Sequence, residues 1–469
     1  MKLIYDVHDK PKFGQLIVFA FQQLLAIMAA TIAVPAIVGN GMTASAALFG
    51  AGVGTIVYLL FTKFRSPVFL GSSFAFIGSM LAAFAGGVSM SLGFLGLILG
   101  ALFAGLVYVV IAVIVKLVGV NWVNKLMPAV VIGPTVAIIG LSLAGNAVGD
   151  MTKGDVAVEK TIDGVTSMVP TASPYVALIC ALVTLFVVII CSTYGKKMAR
   201  LIPFIIGIVA GYIVALIFTV IGIQTGNDAL KVIDFAPFKA LVADGVGIKT
   251  FFEIPKFTFL TAFSGKYNFG NAGSMGAYIG TIAAAYVPVA FVVFAEHIAD
   301  HKNLSSVIEK DLLKDPGLHR TLLGDGVGSM FGAFFGGCPN TTYGESVGCV
   351  AITRNASVYT IFATSIMAII ISFLAPFVAF LDSIPACVMG GVCMTLYGFI
   401  AVSGLKMVQK VDLDNNKNLF VVSVILIAGI GGLSLSFGSV TITEIACALI
   451  LGILVNLALS GKKDEKAAE

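Results

Sequence analysis

Five ionisable side chains occupy sequence that is otherwise apolar. In "FVVFAEHIADHKNL" (291–304), Glu296 ends an apolar run that starts at Tyr286 and is broken only by Pro288. Asp300 follows at i+4, on the same face if the segment is helical. Lys302 opens a basic stretch, so Glu296 sits roughly 9 Å deeper at about 1.5 Å per residue. His297 and His301 repeat the i, i+4 spacing, which can hold a metal ion. The fifth group is Glu345 in "GGCPNTTYGESVG" (336–348), where Pro, Asn, two Thr and a Tyr interrupt hydrophobic sequence. Carboxylates accept hydrogen bonds from N–H groups and carry protons. In an apolar setting they are costly, and therefore candidates for function. Two of them on one small site repel, so at least one is expected to carry a proton at neutral pH. The competing reading makes Asp300 a residue reaching for water at a span end, and His301 a surface residue.

The elements that position these groups follow from composition. Of 469 residues, 58% are hydrophobic and 11% charged, with mean hydropathy +1.04. A soluble chain carries about 25% charged residues, so the chain is expected to be an all-α polytopic membrane protein. Its first residues, "MKLIYDVHDKPKFGQ", do not read as a cleavable signal. Seven Cys lie in apolar surroundings without a CxxC pair and read as small hydrophobes. There is no GxxxxGK[ST] loop, so ATP drive is not supported, and no nucleic-acid partner is expected.

Apolar runs long enough to cross a bilayer lie near 16–38, 45–62, 92–118, 126–145, 175–193, 201–223, 278–299, 357–380, 384–403, 419–436 and 441–459, with a Gly-rich candidate at 321–336. Two shorter runs, near 74–87 and 344–352, cannot cross alone. Counted as broken crossings, they give fourteen spans. With both termini cytoplasmic, that count puts 21 of the 28 basic residues inside, as the positive-inside rule requires. Five of the remainder fall in one long outer loop, 224–277.

Fourteen divides into two seven-span repeats, and an odd repeat inverts its second copy. Each half then has a polar-led break in its third span: "LGSSFAFIG" (70–78) and the segment around Glu345. Irregular backbone is tolerated within a membrane only where it lines a cavity or is buried in protein. Ordinary loops between complete helices are the alternative, against which the charge alternation speaks. Half-helix N-termini expose unpaired N–H groups. Ser72 and Ser73 could cap one, and Asn340, Thr341 and Thr342 the other; Phe74 and Tyr343 offer aromatic faces. Two carboxylates, two helix ends and one or two rings suit a neutral pyrimidine-dione, whose edge alternates C=O and N–H. A sulfate-like anion would not tolerate the carboxylates.

"ESVGCVAITR" (345–354) resembles the signature of the nucleobase–ascorbate transporter family, an acidic or amide residue, Asn, any residue, Gly, four more, Thr, then a basic residue or Gly. Glu345, Gly348, Thr353 and Arg354 match, and Ser346 replaces the Asn. "LGSSFAF", "AEH", "KDLLKDPGLHR" (310–320) and "PNTTYGE" extend the likeness over nearly the whole chain. The resemblance implies a proton-coupled uracil importer of the bacterial inner membrane, not an enzyme, with no cofactor beyond the coupling proton. It implies a core domain (1–119 and 278–380), a gate domain (120–277 and 381–460), a cytoplasmic tail (461–469) and a possible homodimer. Carried over, Glu296 and Glu345 hold the ring, Phe74 and Gly344 supply N–H groups, Tyr343 a ring face, and Ser73 lies beside them. One uracil transporter of the family carries His four residues after the first Glu; here Asp300 takes that place, with His301 one residue later, and Asp300 and Glu296 are the proton-coupling candidates. Ser346 leaves room for a purine such as xanthine or urate. A metalloenzyme using His297 and His301 is the reading from a different class.

Overall fold

Nearly every long apolar run becomes a helix, because only a helix satisfies its backbone within its own segment in lipid. The computed structural model describes residues 3–119, 122, 128–162, 165–196, 198–243, 245–437 and 440–460. The expected tail 461–469 and most of the boundary at 120–127 lie outside these residues. The longer helices are α1 (Phe13–Val38), α2 (Ala44–Phe61), α3 (Ile77–Phe84), α4 (Met90–Val118), α5 (Ala129–Ser142), α6 (Pro174–Tyr194) and α7 (Pro203–Thr225). They continue with α8 (Met275–Ile308), α9 (Leu318–Gly336), α10 (Gly344–Thr353), α11 (Val358–Ile371), α12 (Ala386–Val408), α13 (Asn416–Ile430) and α14 (Glu444–Ser460). Among the described residues, eight helices are long and apolar enough to cross a membrane, and four shorter apolar ones accompany them. The chain is a multi-pass membrane protein.

Local chemistry sets the ends. Thr43, Ser274 and Asn415 accept from backbone N–H groups as N-caps of α2, α8 and α13. Gly337 ends α9 in the left-handed region at φ 76°. Arg354 ends α10 in the same region at φ 57°, where Gly would meet no Cβ penalty. That backbone requirement accounts for the Gly alternative at the end of the signature. Some runs depart from expectation. The helix α8 continues through Lys302 to Ile308 rather than stopping at 299. The run 357–380 breaks after Ile371, and a separate short helix follows at Ala375–Asp382.

The helices pack in two groups. In one, α2 lies against α9, α11 and α1, and α4 lies against α9 and α8. In the other, α5 packs on α12 and α13, α6 on α7 and α12, and α13 on α14. Close approach in the first group depends on absent side chains: a Cβ on Gly54 would stand 2.7 Å from the carbonyl oxygen of Gly328 and against the amide of Asn340. Small residues at helix contacts are the usual means of packing in a bilayer, where lipid removes the hydrophobic drive between helices.

Surface ion pairs tie the first residues and the segment after α2 to the α8–α9 connection, Lys310 to Asp6 and Arg65 to Asp315, each at 2.6 Å. The Lys310 ammonium, helped by the Val7 N–H, holds the Asp6 carboxyl below its usual range. A depressed carboxylate stabilises above its unfolded value, and the contribution fades as pH falls through the folded one. Both pairs are solvated, so each is worth about 0–1 kcal/mol.

Candidate functional site

The two polar-led breaks find each other. Strand β1 (Leu70–Ser72) pairs antiparallel with a strand at Asn340–Thr342, with Leu70 opposite Thr342, Gly71 opposite Thr341 and Ser72 opposite Asn340. Ser73 N–H donates to the Pro339 carbonyl at 2.9 Å. Each extended segment thereby satisfies backbone groups that neither could satisfy in lipid. A helix leaves each end of this ribbon: a 3-10 turn (Phe74–Phe76) leading into α3 at one end, and α10 at the other. Asn340 secures the ribbon by donating to the Gly50 carbonyl at 3.0 Å. Thr55 Oγ1 both accepts from Leu70 N–H (2.9 Å) and donates to Leu70 O (3.1 Å).

A cavity of about 330 Å³ opens beside the start of α10, and Glu296, Asp300, Gly344 and Glu345 line it together. Two helices and one strand break thus place three carboxyl groups and a glycine N-terminus around one space. The Thr342 hydroxyl donates to Asp300 Oδ2 at 2.8 Å, which orients that carboxyl from the ribbon. No side chain caps α10, leaving its first N–H groups for a ligand carbonyl.

Several sequence expectations change here. Phe74, Ser73 and Tyr343 are not on the cavity wall. Tyr343 instead lays its ring against Gly71 and donates its hydroxyl proton to Ser72 O at 2.8 Å, so it clamps the ribbon. Phe74 is 8% exposed and meets Tyr397 edge-on at 5.7 Å. The expected side-chain caps are not made: Ser72 and Ser73 hydroxyls have no partner, Asn340 reaches α2, and Thr342 reaches Asp300. Ser346 is fully buried, accepting from Gln23 Nε2 (2.6 Å) and Phe69 N–H (3.1 Å). It joins α10 to α1 and to the strand rather than facing the cavity, so a substrate preference does not rest on it. His301, read as a surface residue, is fully buried and bonded to Tyr58 at 2.7 Å.

The far wall was not legible in advance. Phe204 of α7 and Phe399 of α12, 6.0 Å apart in edge contact, supply aromatic surface from the second packing group, with Ser403 nearby. Both Phe lie inside apolar runs and carry no sequence signal. Arg200 also lines the cavity.

A multi-pass helical protein with two paired extended breaks and a carboxyl-bearing cavity between two helix groups is built as a membrane transporter. The chain matches the permease family over residues 14–436, and it belongs to that family, the nucleobase–ascorbate transporters. It is 40% identical to the uracil permease of Bacillus caldolyticus over 98% of this chain and 96% of that protein. It is 37% identical to the uracil permease of Bacillus subtilis (strain 168), over 99% and 97%. Among solved structures, the transmembrane domain of the cyanobacterial bicarbonate transporter BicA superposes with TM-score 0.61, covering 96% of this chain and all of that one at 14% identity. Murine Slc26a9, an anion transporter solved in the inward-facing state, gives 0.58 at 12% identity, covering 96% and 69%. These two speak for the fold alone. The protein is a permease of nucleobase type, not an enzyme.

Proposed function

We propose that this protein is a secondary transporter that imports uracil together with protons. The observation that carries this reading is the convergence of Glu296, Asp300 and Glu345 on the uncapped start of α10. Carboxylates accept from the ring N–H groups, and the free N–H groups of α10 donate to a ring carbonyl. Glu296 and Glu345 take the ring, Gly344 supplies backbone N–H, and Phe204 and Phe399 cover its faces. Tyr343, Phe74 and Ser73 serve by shaping the ribbon behind the site. The curated uracil permeases support the choice of a pyrimidine. The purine alternative loses the residue it was tied to, since Ser346 is turned into packing.

The two helix groups are the core (1–119, 278–380) and the gate (120–277, 381–460), and alternating access is movement of one past the other. Fourteen spans in two inverted repeats fit the order of α1 to α14, with α3 and α10 as the half-helices, and both termini in the cytoplasm of a bacterial inner membrane. On that topology Lys63, exposed after α2, is cytoplasmic. A lone Cys at Lys63, with the seven native Cys replaced, should resist impermeant thiol reagents in intact cells and label after permeabilisation. Labelling in intact cells would overturn the topology.

Uptake of labelled uracil into cells, with unlabelled bases as competitors and with a protonophore, tests the function. Uracil should compete best and the protonophore should abolish accumulation. Coupling is assigned to Glu296 and Asp300. Because Asp300 lines the same cavity, it can exchange a proton with water there directly. Asp300→Asn should keep uracil binding within a few-fold of wild type and keep exchange of internal for external uracil, but should weaken accumulation across a pH gradient. Normal accumulation would leave Glu296 as the coupling group alone.

A further inference from the structure

Behind the cavity, on the opposite side of α8, lies a second set of polar groups that substrate cannot reach. His297, His301, Thr321 and Asp325 are all fully buried and none lines the cavity. His297 Nδ1 is 2.6 Å from Asp325 Oδ2, and its Nε2 is 3.0 Å from Thr321 Oγ1. The single proton of Thr321 goes to Leu318 O at 3.1 Å, so Thr321 accepts from an Nε2–H. Nδ1 and Oδ2 must then share one further proton, either on the carboxyl or on the ring. Either way the pair is neutral overall. Asp325 Oδ1 has no partner, and neither has the buried hydroxyl of Tyr108, which packs from α4 against Gly326 beside it. An ionised carboxylate left half-satisfied in a dry site is costly, which favours keeping the proton in place. His301 stacks on His297 at 4.0 Å, donates from Nδ1 to the His297 carbonyl at 2.8 Å, and sets its Nε2 2.7 Å from the hydroxyl of Tyr58, which itself donates to Ser66 Oγ at 2.7 Å. It is thereby tied to α2.

Each His follows or adjoins a cavity carboxyl by one residue, Glu296 before His297 and Asp300 before His301. Holding the His side chains against α9 and α2 fixes the rotation of α8. We propose that His297 and Asp325 are positioning residues: they retain one proton between them through the transport cycle, and by locking α8 they keep Glu296 and Asp300 turned into the cavity, where those two alone exchange the coupling proton. This rests on the uracil–proton reading above.

The test uses the full-length protein in proteoliposomes. Asp325→Asn replaces the shared proton with an amide N–H that donates to His297 Nδ1. Its KM for uracil, its proton-driven accumulation and the pH profile of uptake should match wild type within about threefold. Asp325→Leu fills similar space without a donor, and should raise KM about tenfold or more with a smaller change in kcat. Thr321→Val, a milder change of the same clamp, should raise KM in the same sense, and stands in if the Leu variant does not fold. Three results overturn the proposal: Asn folding but losing accumulation while still exchanging uracil, Asn failing to fold, or both Leu and Val variants transporting as wild type. Failure of the wild-type protein itself to accumulate uracil on a pH gradient would instead remove the functional reading.

Discussion

Glu345→Gln is expected to lower uracil affinity roughly ten- to a hundred-fold, the loss of a hydrogen bond to a charged group at about 1.5–3 kcal/mol. Glu345 is in the first turn of α10 and faces the cavity that Glu296 and Asp300 share. The amide keeps the side chain's shape, yet one of its two polar atoms becomes a donor where the ring offers an N–H. Titration calorimetry on the purified protein measures the effect directly. Thermal unfolding should change little, because Glu345 is only partly buried and faces the cavity, where an amide of the same shape fits. Unchanged affinity would place the ring elsewhere in the cavity and leave Glu296 as its principal acceptor.

Gly54→Val is expected to damage the site from a distance. The position lies in α2 where it crosses α9, and the approach is mutual. A Cβ on Gly328 would likewise stand 2.7 Å from the carbonyl oxygen of Gly54. A branched side chain at residue 54 must part the helices or displace Asn340, whose amide fills the same notch and donates to Gly50 O at 3.0 Å. Overpacking typically costs about 1–3 kcal/mol. A buried amide stripped of its acceptor costs about 1–3 kcal/mol more. Because Asn340 begins the strand that leads into α10, the substitution should both lower the melting temperature in detergent and abolish the stabilisation that uracil gives by mass action. A variant that melts as wild type would show that α2 and α9 have slack at this crossing, contrary to their geometry.

The two predictions separate what each kind of residue does. Glu345 is expected to contribute chemistry at the cavity surface. Gly54 contributes the absence of a side chain, without which the ribbon carrying that chemistry cannot seat.

What the sequence determined by itself is the class of protein and most of its acidic site. Long apolar runs must become helices in lipid, so most of the helices were legible from hydropathy. Glu296, Asp300 and Glu345 were legible for the same reason: a carboxylate among apolar residues is expensive, and its cost marks it. The two breaks were visible as polar sequence where a span was required. The tertiary structure decided what those breaks do with their polar atoms. Ser73, Asn340 and Thr342 were read as helix caps, but in the pairing of β1 with the strand at 340–342 Asn340 turns to Gly50, Thr342 turns to Asp300, and the Ser73 hydroxyl finds no partner among the described residues, leaving α10 uncapped. Tyr343 was read as a ring face for substrate, yet Gly71 opposite it admits the ring and makes it a clamp. Phe204, Phe399 and Asp325 gave no usable signal. An aromatic inside an apolar run looks the same whether it faces lipid, core or cavity, and a lone Asp in a Gly-rich helix does not show that its partner is His297. Those assignments depend on which helix lies against which, and that is fixed by packing between residues far apart in the chain.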